Sequence, residues 1–529
     1  MARHIGSGLA LVTSALVVTG CQLPGRHSQS GIPEAALIPA SSPVVVSWRT
    51  DLDQLAQQAP VQQSAWQAQV NLLKAGLQAS GIDYSRDLQP WIGETASLAL
   101  VKRLPEQPDI PGMLLITTSR DPQKSRAFLK RRHDQVPGSL TDIPGGKLFQ
   151  QQGEQPGRTL VSAEINHQGQ HFVALANDPT VMQEVVAIVT EGRTHPTLKS
   201  QAPFQALTLA QMDAQTLVSM HVNVPALIDL TGALDMFRDA ELDSPMLRGH
   251  LEGMQAFSFR THWTNDGLGV HYRTLVDPNN PWMKTQITPT KGTLLKRLPA
   301  DAVAVVTSAY PARLWEETVA KLEQLPEGKQ MISGLQGAVQ LVAGLDLQQD
   351  VVSWMDGEVA VAVVRDPQGQ LQGFEGLVAI ETTQREKGEA TWGQLDNLVK
   401  DFGVSVKTAA SGAVTWDVGG LMPSLQRLWV DPYLVLTSSD RLASEFQSQS
   451  TPRLDRSPAL ASVIQALPSP NYGYILIEGS LVREALATSD VDWTPEAQQL
   501  WESLVAVGGT AYKIDNSTYG ADLRVRLKD

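Results

Sequence analysis

The chain has 529 residues, of which 42% are hydrophobic and 18% charged, with one cysteine and a formal charge of −13. Such a composition builds a sizeable core and excludes a disordered or low-complexity polymer. A single cysteine excludes an internal disulfide framework, a thiolate zinc site and an iron–sulfur cluster. The acidic balance speaks against a nucleic-acid partner, whose contact surface is normally basic.

The N-terminus reads as an export signal. Arg3 and His4 precede a mostly apolar run from Leu9 to Val18, too short for a permanent membrane span. Val18-Thr19-Gly20-Cys21 then matches a bacterial lipobox: an aliphatic residue, two small residues and cysteine. The expectation is cleavage after residue 20 and lipidation of Cys21. The mature chain keeps 41 Lys and Arg against 55 Asp and Glu, a charge of −14. Acyl chains, rather than basic residues, would then hold it on a membrane. Gln22 to Pro43 is rich in Pro, Ser and Gly, and residues 21–35 are expected to form a flexible tether.

The rest reads as one unit written twice. Leu37-Ile38-Pro39-Ala40 leads into Val44-Val45-Val46, and Arg297-Leu298-Pro299-Ala300 leads into Val303-Ala304-Val305-Val306. Trp91-Ile92-Gly93-Glu94 opens the apolar run 96–101, and Trp354-Met355-Asp356-Gly357-Glu358 opens the run 359–364. Phe172-Val173-Ala174-Leu175 and Leu434-Val435-Leu436 each precede an aspartate and a helical pattern. These landmarks keep their order, which predicts a first repeat over 36–283 and a second over 284–529.

The β-branched runs Val44–Trp48 and Val303–Thr307 read as strands. Residues 61–79 carry Trp66, Val70, Leu73 and Leu77 at helical spacing, and 331–343 matches them. Residues 99–101 and 113–117 read as antiparallel strands around a Pro-rich loop; a turn at 366–369 joins their counterparts. Asp121-Pro122 starts a helix to about Asp134, and Thr494-Pro495-Glu496 starts another. Strands and helices without regular βα alternation predict α+β, each repeat a mainly antiparallel sheet with packed helices.

The leader, the Leu-Pro-Ala-type openings and the Trp-x-Gly-Glu-type strand starts resemble a family of exported cyanobacterial proteins classed as a domain of unknown function. The resemblance spans residues 34–529. It implies an envelope or lumenal location and supplies no activity and no catalytic residues.

Motifs with a mechanism are absent from the sequence: no Gly-x-Ser-x-Gly elbow, no His-Glu-x-x-His, no Walker loop. Asp490-Val491-Asp492 resembles a calcium loop, but Pro495 stands where that loop needs glycine. All ten histidines lie at or before residue 271, so imidazole chemistry belongs to the first half alone. His167 and His171 flank a turn. His262 and His271 flank Asp266-Gly267; a two-residue turn there sets the imidazoles opposite one another, a weak metal candidate needing further ligands. Glu94 and Glu358 match in sequence, either as paired acid and base or as strand-start residues binding backbone amides. Trp91 and Trp354 are core anchors or ligand-stacking residues. Lys124, Arg126, Lys130, Arg131, Arg132 and His133 give one helix a basic face.

The resulting expectation is a protein lipid-anchored through Cys21 at the periplasmic or other extracytoplasmic face of a bacterial membrane. Its role would be non-enzymatic binding or scaffolding, with Trp91, Glu94, Trp354 and Glu358 as candidate binding residues. A protein or an apolar ligand in a groove is the expected partner; no cofactor is implied. The alternatives are a lipid or pigment carrier, and a metal-assisted hydrolase using first-half histidines.

Overall fold

The computed structural model describes residues 31–528, except 58, 60–62, 105–106, 152–158, 208–211, 213–214, 233–244, 285–287, 291, 367–372, 418, 420–423, 449–451 and 488–494. The leader, Cys21, the tether to residue 30, most of the 366–369 turn and Asp490–Asp492 lie outside the described residues. The chain divides into two compact units, Met1–Asp277 with Trp493–Leu500 and Lys528–Asp529, and Pro278–Asp492 with Trp501–Leu527.

The fold is α+β with antiparallel sheet. In the first unit the strands are β1 (Val44–Arg49), β2 (Ile92–Leu104), β3 (Gln107–Ser119), β4 (Gly138–Ile143), β5 (Gly146–Gln151), β6 (Val161–His167), β7 (Gln170–Ala176), β8 (Thr216–Asn223), β9 (Met254–Thr264) and β10 (Gly267–Val276). Their pairings give the order β10-β9-β8-β1-β2-β3-β7-β6-β5-β4. Three helices matter most: α1 (Gln63–Ala79), α2 (Pro122–His133) and α3 (Pro179–Glu191). The second unit holds β11 (Ala302–Ala309), β12 (Glu358–Arg365), β13 (Phe374–Glu381), β14 (Ser405–Thr408), β15 (Val414–Asp417), β16 (Leu425–Val430), β17 (Tyr433–Thr437), β18 (Tyr474–Glu478), β19 (Leu504–Lys513) and β20 (Thr518–Leu527). Their order is β20-β19-β18-β11-β12-β13-β17-β16-β15-β14, with α4 (Arg385–Asp401) following β13 as α2 follows β3.

Local signals explain these elements. Asp121 caps α2, its carboxylate accepting from the Gln123 and Lys124 amides, with Pro122 as the first helical residue. Asp178 and Pro179 start α3 in the same way. On α1, Trp66 and Val70 are buried while Leu72 is exposed, the one-sided burial that helical spacing demands. Between β6 and β7, Gln168 and Gly169 both take positive φ (52° and 80°), the two-residue turn suited to the twist of a hairpin.

Two expectations are corrected. The Pro-rich stretch before Met113 is strand rather than loop: β3 begins at Gln107, and the register slips between Arg103 and Leu104 to take in its prolines. The ordered body also begins before residue 36. Ile32, Glu34 and Ala35 are buried, and residues 33–36 form a 3-10 turn packed into the core with Leu37 and Ile38.

That turn brings a carboxyl group inside. Glu34 has no exposed surface and accepts from the Thr95 hydroxyl at 3.0 Å. The second unit supplies the carboxylate from the opposite side: Glu358 on β12 accepts from the Leu294 amide at 2.9 Å and the Thr293 amide at 3.3 Å, at the start of the turn Thr293–Lys296.

Burial disfavours the charged form and pushes the Glu34 carboxyl up to about 7, against the lowering effect of its hydrogen bonds. The folded chain therefore holds this proton to about pH 7, whereas the unfolded chain loses it near 4.5. The folded state binds more protons in that window, so this stabilisation is present below pH 4.5 and lost as pH rises through 7. The whole effect is on the order of 3 kcal/mol. Glu34→Gln is expected to flatten the decline of the first unit's melting temperature across that window. An unchanged decline in the variant would refute the assignment.

Candidate functional site

The tryptophans singled out in the sequence are core residues. Trp91 is 3% exposed and packs with Phe128, Leu129 and Val173; its indole N–H donates to the Asp87 carbonyl at 2.6 Å. Trp354 is 1% exposed, packs with Ile380 and Leu434, and donates to the Asp350 carbonyl at 3.1 Å. Each fixes a helix, α2 or α4, to its sheet. The matched glutamates differ in setting. Glu94 is 71% exposed with Arg49 at 3.7 Å, whereas Glu358 is buried against backbone amides.

His262 and His271 do meet, but in another register. The β9–β10 turn is centred on Asn265 and Asp266, so His262 faces Gly269 and His271 faces Arg260. A slip of two residues keeps both imidazoles on one face as diagonal neighbours, and the rings stack at 4.4 Å and 2°. Among the described residues no group of three or more His, Cys, Asp or Glu side chains is placed to hold a metal ion.

A concave feature of the first unit lies elsewhere, between α2 and the outer strands β4–β6, with a volume near 1040 Å³. Phe128 and Leu129 seat α2 against Trp91 and Val173. Beyond that contact the helix and the strands leave a gap. Strand alternation decides what faces it. Val161, Ala163 and Ile165 point to the core, so Ser162, Glu164 and Asn166 point to the groove. Register sets Leu140, Phe149 and Ser162 in one row, Asp142, Lys147 and Glu164 in the next, and His171 beside Asn166.

The groove is apolar at one end and charged at the other. His133 stacks flat on Phe149, with centroids 3.8 Å apart and an angle of 11°, and its Nε2 lies 2.7 Å from the Ser162 hydroxyl. Arg126 pairs with Glu164 at 2.9 Å and Lys130 with Asp134 at 2.6 Å. His171 Nδ1 lies 2.8 Å from the Asn166 amide oxygen. Burial lowers the pKa of both His133 and His171, outweighing the nearby carboxylates, so both favour the neutral form.

In the second unit tryptophans and an ion pair stand in the matching space. Trp392 on α4 lies 5.6 Å from Trp416 on β15. Asp396 accepts from Trp416 Nε1 at 2.8 Å and from Arg427 Nη2 at 2.7 Å, and Arg427 lies over Trp392. Trp429 closes the gap beside Gly388, where even a Cβ would approach its ring to 2.9 Å. By register Arg427 stands where the first unit has Ser162: each faces a leucine, Leu436 and Leu175. The sequence carried this signal in the tryptophans at 392, 416 and 429, whose first-unit counterparts are smaller or polar.

Trp91→Ala and Trp354→Ala are each expected to destabilise by about 3–5 kcal/mol through the cavity and the lost indole bond. Thermal denaturation reads this directly; an unchanged melting temperature in either variant would exclude the anchoring role.

No curated protein matches the chain. Three solved structures of a protein titled TP0453 are similar at a low level: crystal form III (10% identity, 46% of this chain and 80% of that chain, TM-score 0.26), form IV (9%, 46% and 79%, 0.26) and form I (10%, 47% and 79%, 0.27). At such TM-scores the likeness carries no argument. A family described as "Protein of unknown function (DUF3352)" matches residues 5–527. Nearly the whole chain is covered, and the protein belongs to this family of unknown function.

Proposed function

We propose that this chain is an exported, lipid-anchored binding module made of two homologous repeats, with its ligand seat in the groove of the first unit and no catalytic role. One observation carries the binding reading. The gap between helix and outer strands is open beside α2 and filled by tryptophans beside α4. A gap lined by apolar and polar side chains, on a helix already fixed by its own tryptophan, has the make-up of a binding site. The matching strand orders and the ordered sequence landmarks support duplication. The lipobox supports the anchor at Cys21, and among the described residues no helix is long and apolar enough to cross a membrane.

Ala127 lies on the exposed side of α2 and lines the groove. Native mass spectrometry of the protein purified from its own membranes is expected to show a bound small molecule. Ala127→Trp, which fills the gap as the second unit's tryptophans do, is expected to lose that molecule while keeping its melting temperature. Wild-type protein that never carries a molecule, or a variant that keeps it, would overturn the groove as a seat. Cys21→Ser is expected to move the protein from the membrane to the soluble fraction, and continued membrane retention would overturn the anchor.

A further inference from the structure

The two ends of the groove differ in kind, and this bears on the ligand. The apolar end is built from Leu129 and Val136 on the helical side and Leu140 and Phe149 on the sheet. Leu140, opposite Phe149 in the register, is 58% exposed and leaves apolar surface at this end of the groove. One row along the strands the lining becomes charged, with Arg126 and Lys147 on either side of Glu164. Three cations, Arg126, Lys130 and Lys147, line the groove against two carboxylates, Asp134 and Glu164. On a chain whose charge is −13, this is a local reversal of sign. Among the described residues Lys147 pairs with Asp142 at 3.8 Å, with both side chains more than half exposed, so turning it toward a ligand costs little.

Resting on the groove reading above, we propose that the ligand is an anionic amphiphile. Its carboxylate or phosphate head meets Lys147 and Arg126, and its hydrocarbon body lies over Phe149, Leu140 and Val136. Cations at one end draw the head and orient it; apolar burial supplies the affinity. The two head chemistries correspond to two sources, a free fatty acid and a lysophospholipid-type phosphate.

The test uses the full mature chain and the fluorescent anion 1-anilinonaphthalene-8-sulfonate as a displaceable probe. Saturated carboxylates of increasing length, kept below micelle formation, are expected to displace it with affinity rising roughly fourfold per methylene until the groove is full. Alkyl phosphates of the same lengths form the second arm, and the tighter series identifies the source. Alkyl trimethylammonium ions of the same lengths are expected to bind at least tenfold more weakly. Arg126→Gln and Lys147→Gln, both at exposed positions, are expected to weaken the anionic series severalfold, to reduce its salt dependence and to leave the matching alkanols unchanged.

Equal displacement by cationic and anionic chains, or no dependence on chain length, would overturn the proposal. Displacement undiminished in Ala127→Trp would place the binding elsewhere and overturn it too. The groove reading fails separately. If native mass spectrometry finds a non-amphiphilic molecule that Ala127→Trp loses, the seat stands and the amphiphile is wrong. If neither any resident molecule nor any probe is sensitive to Ala127→Trp, both fall.

Discussion

In each unit a buried indole sets the distance between a helix and a sheet. Trp91 and Trp354 donate to the carbonyl four residues before them, which fixes the ring, and the ring in turn carries the helix. Packing at that point is dense, as protein interiors are. The spacing is thereby decided before the outer strands are considered. What occupies the remaining gap depends on which side chains the outer strands and the far half of the helix present. In the second unit three tryptophans and an Arg–Asp pair occupy it. In the first, histidine, serine and glutamate leave it open.

Much of this was legible in the chain. The Asp-Pro helix starts and the β-branched strands follow from local physics, and the elements appear where those signals lie. The uneven distribution of histidine pointed to the first unit, where His133 and His171 line the groove. The groove itself was not legible. It depends on β4 and β5, short strands with largely exposed residues and weak patterning. The β9–β10 register was missed because Asp-Gly is a strong turn signal that was outcompeted by the neighbouring pair Asn-Asp. The two-residue shift preserved the face and therefore the histidine contact.

The matched glutamates show why equal sequence does not give equal environment. Glu94 and Glu358 follow glycines at like strand starts, yet only Glu358 is buried. The deciding residue lies elsewhere, in the turn that covers the strand. Where that turn brings its own carboxyl, Glu34, the strand offers a threonine hydroxyl. Where it brings bare amides, at Thr293 and Leu294, the strand offers the glutamate. Each seam buries a carboxyl group, carried by the turn in the first unit and by the strand in the second.

Burial of Ile32, Glu34, Leu37 and Ile38 also has a mechanical side. A pull on the N-terminal segment loads the core within a few residues of Gly31, with no slack loop between. The first elements to feel it are the 3-10 turn and, through Glu34 and Thr95, strand β2 at the middle of the sheet. Force from that end would thus be resisted by interlocked side chains sheared together, and protonation of a single carboxyl would tune how firmly that end is gripped.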